Sequence, residues 1–439
     1  MTRGTVTGLS IVWGFSSALD TLASQAHGAQ DFRLVGLWTA RFFLIFTVMS
    51  LPIAAAWWWA CAPVLRLIGI EGPTVAAAEL FCRCYVVWMW PTFASRAIQS
   101  FLRAQSIVRP VSIVSVFALI LHVPITWLFV GWFGFAGAPL ALGANAWCVF
   151  VALLVYCRFN PKTRRCWPER ADAALMAELF RGWDVLLRMG AGGAVSMMGV
   201  WWAWEILSGC AGMLGEVPLA AHVLVQQLGY ILGSIFMGCS MATTARVGNL
   251  LGAGQPKQAR LSGKAGIYGT TSAVGLGLVL LLLFFKDRFA YIYTDDARVA
   301  ELAGSIAWAF AINQWLASNS VVLQGILNGC GRQGLNAKLS LVSSYCVGVP
   351  AAVVLCFALQ LGVLGLWLGL GLGQCFRCCV GHWLVSAAAL FGGFLSNVSQ
   401  EAWSARCGRS RIGRSCLGPR EREHRRMARR GSVKCTRQL

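Results

Sequence analysis

The chain has 439 residues, 57% of them hydrophobic and only 12% charged, with 20 Trp and a mean hydropathy of +0.63; a soluble globular fold cannot hide that much apolar surface. A formal net charge of +20 would point to nucleic acid in a soluble protein. Here the excess sits in short loops and in the tail, which removes nucleic acid as a partner and leaves an integral protein of the lipid bilayer.

Apolar runs of about 20 residues, the length a helix needs to span a membrane, recur at about residues 5–25, 38–60, 76–97, 110–130, 135–157, 186–209, 219–240, 265–285, 301–325, 338–358 and 365–392. They lack the period-two alternation of an outer-membrane barrel, so the fold class is all-α, integral to the membrane. No charged n-region followed by a cleavage site opens the chain, so no cleavable signal peptide is evident. Arg33 and Arg41, Arg103 and Arg109, the Arg158 to Arg188 connection, Arg246 to Lys264, and Arg332 with Lys338 fall in alternate loops. The positive-inside rule assigns these loops to the cytoplasm and Trp57-Trp58-Trp59 to the outer interface.

From Glu401 onward eleven Arg and Lys434 stand against Glu401, Glu421 and Glu423, a net +9, and such a segment is expected to be disordered. The seventeen Cys are scattered through apolar segments, where free Cys behaves as a small hydrophobe. Cys375-x-x-Cys378-Cys379 has no second Cys/His pair nearby, so no metal, no cofactor and no disulfide framework are expected.

The stretch Ala242 to Arg260 is Gly-rich and basic, and it reads as a loop between two spans. Its twin lies near the start of the chain, from Leu19 to Gly36, with Gly28-Ala29 answering Gly252-Ala253 at an offset of 224. Pro124 and Pro350 are offset by 226, and Gly134-Phe-Ala-Gly137 and Gly362-Val-Leu-Gly365 by 228. Offsets that creep in this way mark two copies of one unit with small loop insertions. Both copies have the same orientation, so a parallel repeat is expected, with a cleft between two bundles. Residues 1–157 form the first bundle, 158–185 a cytoplasmic connecting loop, 186–392 the second bundle and 393–439 the tail. The second bundle's first helix has no counterpart in the first, so five spans plus six are expected here where twelve would complete the pattern.

Several segments carry a resemblance: Ala18-Leu-Asp-Thr-Leu-Ala-Ser-Gln-Ala-His-Gly-Ala-Gln30, Gln105-Ser-Ile-Val-Arg-Pro110, Leu121-His-Val-Pro124, Trp201-Trp-Ala-Trp-Glu205, Arg246-Val-Gly-Asn-Leu-Leu-Gly-Ala-Gly254, Gly325-Ile-Leu-Asn-Gly-Cys-Gly-Arg-Gln333 and Gly365-Leu-Trp-Leu-Gly369. In this order and spacing the chain resembles the eukaryotic multidrug and toxic compound extrusion (MATE) transporters from about Trp13 to Leu384, and looks N-terminally truncated. The resemblance implies a two-bundle antiporter, not an enzyme. It implies export of organic cations, xenobiotics or metabolites against H⁺ or Na⁺, in the plasma membrane or a vacuolar or other organelle membrane, with a monomer sufficient.

Such an exporter needs an intramembrane group that holds either a proton or a cation, which suits a carboxylate whose burial disfavours the ionised form. Glu205 is the candidate for proton or cation coupling, because an acid within an apolar helix usually faces a bundle interior. Trp201, Trp202 and Trp204 are candidate substrate contacts through cation–π attraction, and Gln227, Asn313 and Asn319 through their amides. The other reading of Glu205 is an acid near the outer helix end, with the Trp residues as an interface belt. Some eukaryotic members place three further acids where this chain has Val200, Gln227 and Ala317. Asp20, Gln25, Arg246, Gly248, Gly252 and Gly254 are gating or structural candidates, with a solvated face equally open for Asp20 and Gln25. Arg377 is expected to snorkel to the cytoplasm. The alternatives in function are a lipid or lipid-linked sugar flippase of a related fold, or a non-transporting truncated remnant.

Overall fold

The structure, a computed structural model, describes residues 10–67, 71–167, 177–286 and 288–386; the tail at 393–439 lies outside these, so its expected disorder does too. Eleven long helices run through the described residues: α1 (Ser10–Gly28), α2 (Phe32–Leu67), α3 (Pro73–Ala104), α4 (Arg109–Phe133), α5 (Gly137–Phe159), α6 (Trp183–Met213), α7 (Glu216–Gly252), α8 (Pro256–Phe284), α9 (Ala297–Gly329), α10 (Gln333–Ala358) and α11 (Gly362–Ser386). The described part of each expected apolar run overlaps one of them, with 5–9 of the first run and 387–392 of the last lying outside the described residues, and no strand occurs among the described residues. By length and composition alone, six stretches can cross a membrane: α2, the α4–α5 pair, α7, α8, α10 and α11.

The helices outside that set give up apolar character to polar and small residues. α1 buries Ser10, Ser16, Asp20, Thr21, Ser24 and Gln25, and α9 buries Asn313, Gln314, Ser318, Asn319, Ser320 and Asn328. Interfaces between membrane helices favour such residues because small side chains let backbones approach and polar ones bond across. α1 packs on α6, α7, α3 and α2; α7 packs on α9, α9 on α11, and α10 on α6.

Local chemistry sets the helix ends. Asn160 accepts from the Lys162 amide at 2.9 Å to start a single helical turn at Pro161–Arg164, and Asp296 accepts from the Arg298 amide at 3.0 Å to cap α9. The tight turns recur in pairs. Gln30 (φ 59°) and Gly254 (φ 73°) lie 224 residues apart, Ser106 (φ 59°) and Gly331 (φ 70°) 225, Gly134 (φ 57°) and Gly362 (φ 56°) 228. The duplication is therefore written in the backbone as well as in the side chains. In α10 a π-helical stretch, Val342–Gly348, runs up to Val349-Pro350, where the proline has no N–H to continue the α pattern.

The described residues belong to one compact unit containing two apolar cores. One gathers Phe42, Phe93, Phe101 and Leu153 of α2, α3 and α5, with Leu186 from the first half of α6. The other runs from Leu207 in the second half of α6 through Phe310 of α9 to Trp367 of α11, where the Phe310 and Trp367 rings meet edge to face at 5.2 Å.

The loop expected over Ala242 to Arg260 is mostly helix. α7 continues to Gly252 and α8 begins at Pro256, so Arg246, Gly248 and Gly252 are helical and Gly254 alone holds the turn. Glycine and threonine lower helix propensity, but packing against α1 overrides it.

Candidate functional site

Two neighbourhoods collect the candidate residues. The first is a seam at the end of α1 assigned to the cytoplasm. Here α1 and α7 approach so closely that a Cβ on Gly28 would fall on the carbonyl oxygen of Asn249, a Cβ on Gly252 on that of Gln25, and a Cβ on Gly248 on the Ser24 hydroxyl. Gln25 and Asn249 are themselves 224 residues apart. The contact is thus reciprocal, as at a two-fold interface between identical surfaces.

Polar bonds continue the seam into α9 and α10. Thr21 Oγ1 donates to the Asn328 carbonyl at 2.6 Å, Gln25 Nε2 to the Gly329 carbonyl at 3.0 Å, and Gln333 Nε2 to Thr21 Oγ1 at 2.8 Å. Asp20 is buried and pairs with Arg103 at 3.0 Å, while Arg103 also donates to Ser100 Oγ at 2.8 Å. Neither Asp20 nor Gln25 lies on a solvated face, which corrects that alternative; their partners sit on helices far along the sequence. Arg246 is exposed.

Arg377 also departs from expectation. It is 3% exposed and donates to Asn336 Oδ1 at 2.9 Å and to Gln324 Oε1 at 3.4 Å. Snorkelling fails because α11 turns this position into the bundle, where α9 and α10 supply amide acceptors. Asn336 in turn donates to Ser196 Oγ of α6 at 3.0 Å, one helical turn from the seam residue Gln333.

The second neighbourhood surrounds Glu205, eight residues before the end of α6, or about 12 Å along the axis. Glu205 is half-buried and sits four residues, about one helical turn, after Trp201 on the same side of α6. Tyr230 stacks on Trp201 at 5.4 Å and meets Trp204 edge-on at 6.3 Å; Trp204 continues to Trp367 at 5.5 Å. The result is a carboxylate one helical turn from a cluster of electron-rich rings, an arrangement that attracts cations. Trp202 is 48% exposed and, one position on from Trp201, points about 100° away from the ring that stacks on Tyr230.

The amide candidates divide. Gln227 is exposed on α7, one turn before Tyr230. Asn313 is 2% exposed, and its Oδ1 has no hydrogen-bond partner, an acceptor that a donor from substrate or water would satisfy. Asn319 donates to the Trp315 carbonyl of its own helix at 3.1 Å, so one of its two amide donors is engaged. Sequence reasoning missed Tyr230, Thr21 and Gln333. For Tyr230 the only signal was its spacing of three from Gln227, which places both on one side of a helix.

The MatE family model matches residues 2–128 and 194–354. Among curated relatives, Protein DETOXIFICATION 16 of Arabidopsis thaliana is 33% identical over 377 residues, covering 83% of this chain and 74% of the relative. Multidrug and toxin extrusion protein 1 of Oryctolagus cuniculus is 29% identical over 413 residues, covering 93% and 68%. The crystal structure of the eukaryotic MATE transporter AtDTX14 superposes with a TM-score of 0.81 at 25% identity, covering 92% of this chain and 88% of that one. An outward-facing MATE transporter of the MOP superfamily shares the fold alone, with a TM-score of 0.78 at 16% identity. With the family model matching well over half the sequence and the helical architecture superposing on its solved members, this chain belongs to the MATE family of multi-pass membrane transporters.

Proposed function

We propose that this protein exports organic cations or cationic metabolites in exchange for H⁺, by alternating access between bundles at 1–157 and 186–392. The observation that carries the reading is half-buried Glu205 one helical turn after Trp201, whose ring stacks on Tyr230, which in turn meets Trp204. A half-buried carboxylate there takes up either a proton or a cation. The proton neutralises it, and an organic cation is held by the charge and by the ring faces. Binding one therefore expels the other, which is the exchange an antiporter requires.

The reciprocal contacts of Gln25 with Gly252 and of Asn249 with Gly28 support a state closed at the cytoplasmic end. In that state Glu205 meets the outer compartment, where a higher proton concentration protonates it and releases the cation. Opening the seam exposes the site to the cytoplasm; the proton leaves there and a new cation enters. Small-molecule substrate, H⁺ and the bilayer are then the only partners needed, and a monomer is sufficient.

The test is efflux of a fluorescent organic cation from proteoliposomes under an imposed pH gradient, with a Na⁺ gradient as the parallel arm. Efflux driven by the pH gradient and lost in Glu205→Gln supports the reading. Efflux that follows only the Na⁺ gradient replaces H⁺ as the coupling ion, and efflux unaffected by Glu205→Gln removes this site from the mechanism.

A further inference from the structure

We propose that Cys61 and Cys82 form an oxidation-sensitive thiol pair that closes to a disulfide and rivets α2 to α3 at the outer mouth of the first bundle. The two side chains come from adjacent packed helices, and Cys61 Sγ donates to Cys82 Sγ at 3.4 Å. A disulfide needs an S–S separation of about 2.05 Å, so an approach of about 1.4 Å by two side chains that already face each other makes the bond.

The level of the pair in the membrane decides what reaches it. Cys61 lies six residues before the end of α2 and Cys82 nine residues after the start of α3, roughly 9 and 14 Å along the helix axes. By the distribution of Arg residues these are the outer ends. Charged groups already occupy this level: Glu79 pairs with Arg83, and the Arg83 guanidinium stands 5.7 Å over the Trp58 ring. Trp58 is 41% and Trp59 71% exposed. Both thiols are half-buried, so an oxidant in the outer compartment reaches them through a polar interface, and outer compartments are the oxidising ones.

The oxidant is a small-molecule disulfide of the glutathione type, written RSSR. One thiol gives up its proton and attacks RSSR; the S–S bond breaks and RS⁻ leaves to take up a proton. The second thiol, likewise deprotonated, attacks the protein sulfur of this mixed disulfide and expels the other RS⁻. Two protein thiols are oxidised, one RSSR is reduced to two RSH, and a Cys61–Cys82 bond joins α2 to α3.

Trypsin separates the participants, because Arg41, Arg66, Arg83 and Arg96 place Cys61, Cys82 and Cys84 in three different peptides, 42–66, 67–83 and 84–96. The full-length protein in proteoliposomes is treated with oxidised glutathione, alkylated, digested and read by mass spectrometry. The expected product is peptide 42–66 linked to 67–83, reversed by dithiothreitol, retained in Cys84→Ser and absent from Cys61→Ser and Cys82→Ser. Cys61 and Cys82 both recovered alkylated after oxidation, or Cys61 linked to Cys84, overturns the proposal. The wild-type digest decides the matter even where a variant folds poorly.

Discussion

The backbone carbonyl of Gln25 lies where Gly252 would carry a side chain, and the carbonyl of Asn249 lies where Gly28 would. Each member of one pair is 224 residues from its counterpart in the other, so the seam is built twice from one design. Gly28→Ala and Gly252→Ala should each be destabilising by about 1–3 kcal/mol, the cost of overpacking a tight contact, and by similar amounts. Gly238, which has nothing within 4 Å of an added Cβ, is the control, and Gly238→Ala should be neutral or stabilising by up to about 1 kcal/mol through helix propensity. Thermal unfolding in lipid or detergent checks all three.

The Asp20–Arg103 pair ties α1 to α3 in a largely buried setting. Asp20→Asn strands a buried guanidinium, and loss of one partner of such a pair costs about 3–5 kcal/mol. Asp20→Asn with Arg103→Gln should be less harmful than the two single losses together. A double-mutant cycle on unfolding temperature measures that coupling.

Much of this fold was legible in the sequence because a bilayer demands long apolar runs and a duplication repeats its turns. Gly28 and Gly252 announced the twin seam, and Gly134 and Gly362 the twin corner. What escaped is whatever depends on distant helices meeting. Asp20 reads equally as a structural or a solvated acid until Arg103, 83 residues on, arrives from α3. Arg377 reads as a snorkelling cation until Asn336 and Gln324 appear beside it. The Ala242 to Arg260 stretch reads as a loop because glycine propensity is visible in sequence, whereas the close approach of α1 that requires those glycines is not. Glu205 and its neighbouring Trp residues were visible on one helix, but Tyr230, the ring that joins Trp201 to Trp204, comes from the next.

At the outer end of α9, Asp296 is held below the usual carboxylate range, first by the side-chain hydrogen bond from Arg298 and then by the Arg298 amide it caps. A depressed folded-state pKa means the cap stabilises the helix start above the unfolded carboxylate value. That contribution is lost as pH falls through the folded value. Hydrogen exchange at the Arg298 amide should therefore show less protection at acidic than at neutral pH, after correction for the intrinsic exchange rate. Asp296→Ala should remove this pH dependence and leave the amide weakly protected throughout.

The ring cluster makes a separate prediction about affinity. Tyr230→Leu and Trp201→Ala should weaken binding of a quaternary ammonium probe by about 2- to 30-fold, corresponding to about 0.5–2 kcal/mol of cation–π attraction. Trp202→Ala should leave affinity within error of wild type, since that ring is exposed and points about 100° away from the ring that stacks on Tyr230. Equilibrium binding to the purified protein checks the contrast.

Competition between proton and cation for one carboxylate is read most directly by measuring the affinity for a pH-insensitive quaternary ammonium probe across a pH series, in the wild type and in Glu205→Gln. The wild type should bind progressively more weakly as protons are added to compete for the site, while Glu205→Gln should bind weakly and without pH dependence. Parallel pH dependences in the two proteins, or undiminished affinity in the variant, would contradict the assignment of exchange to Glu205.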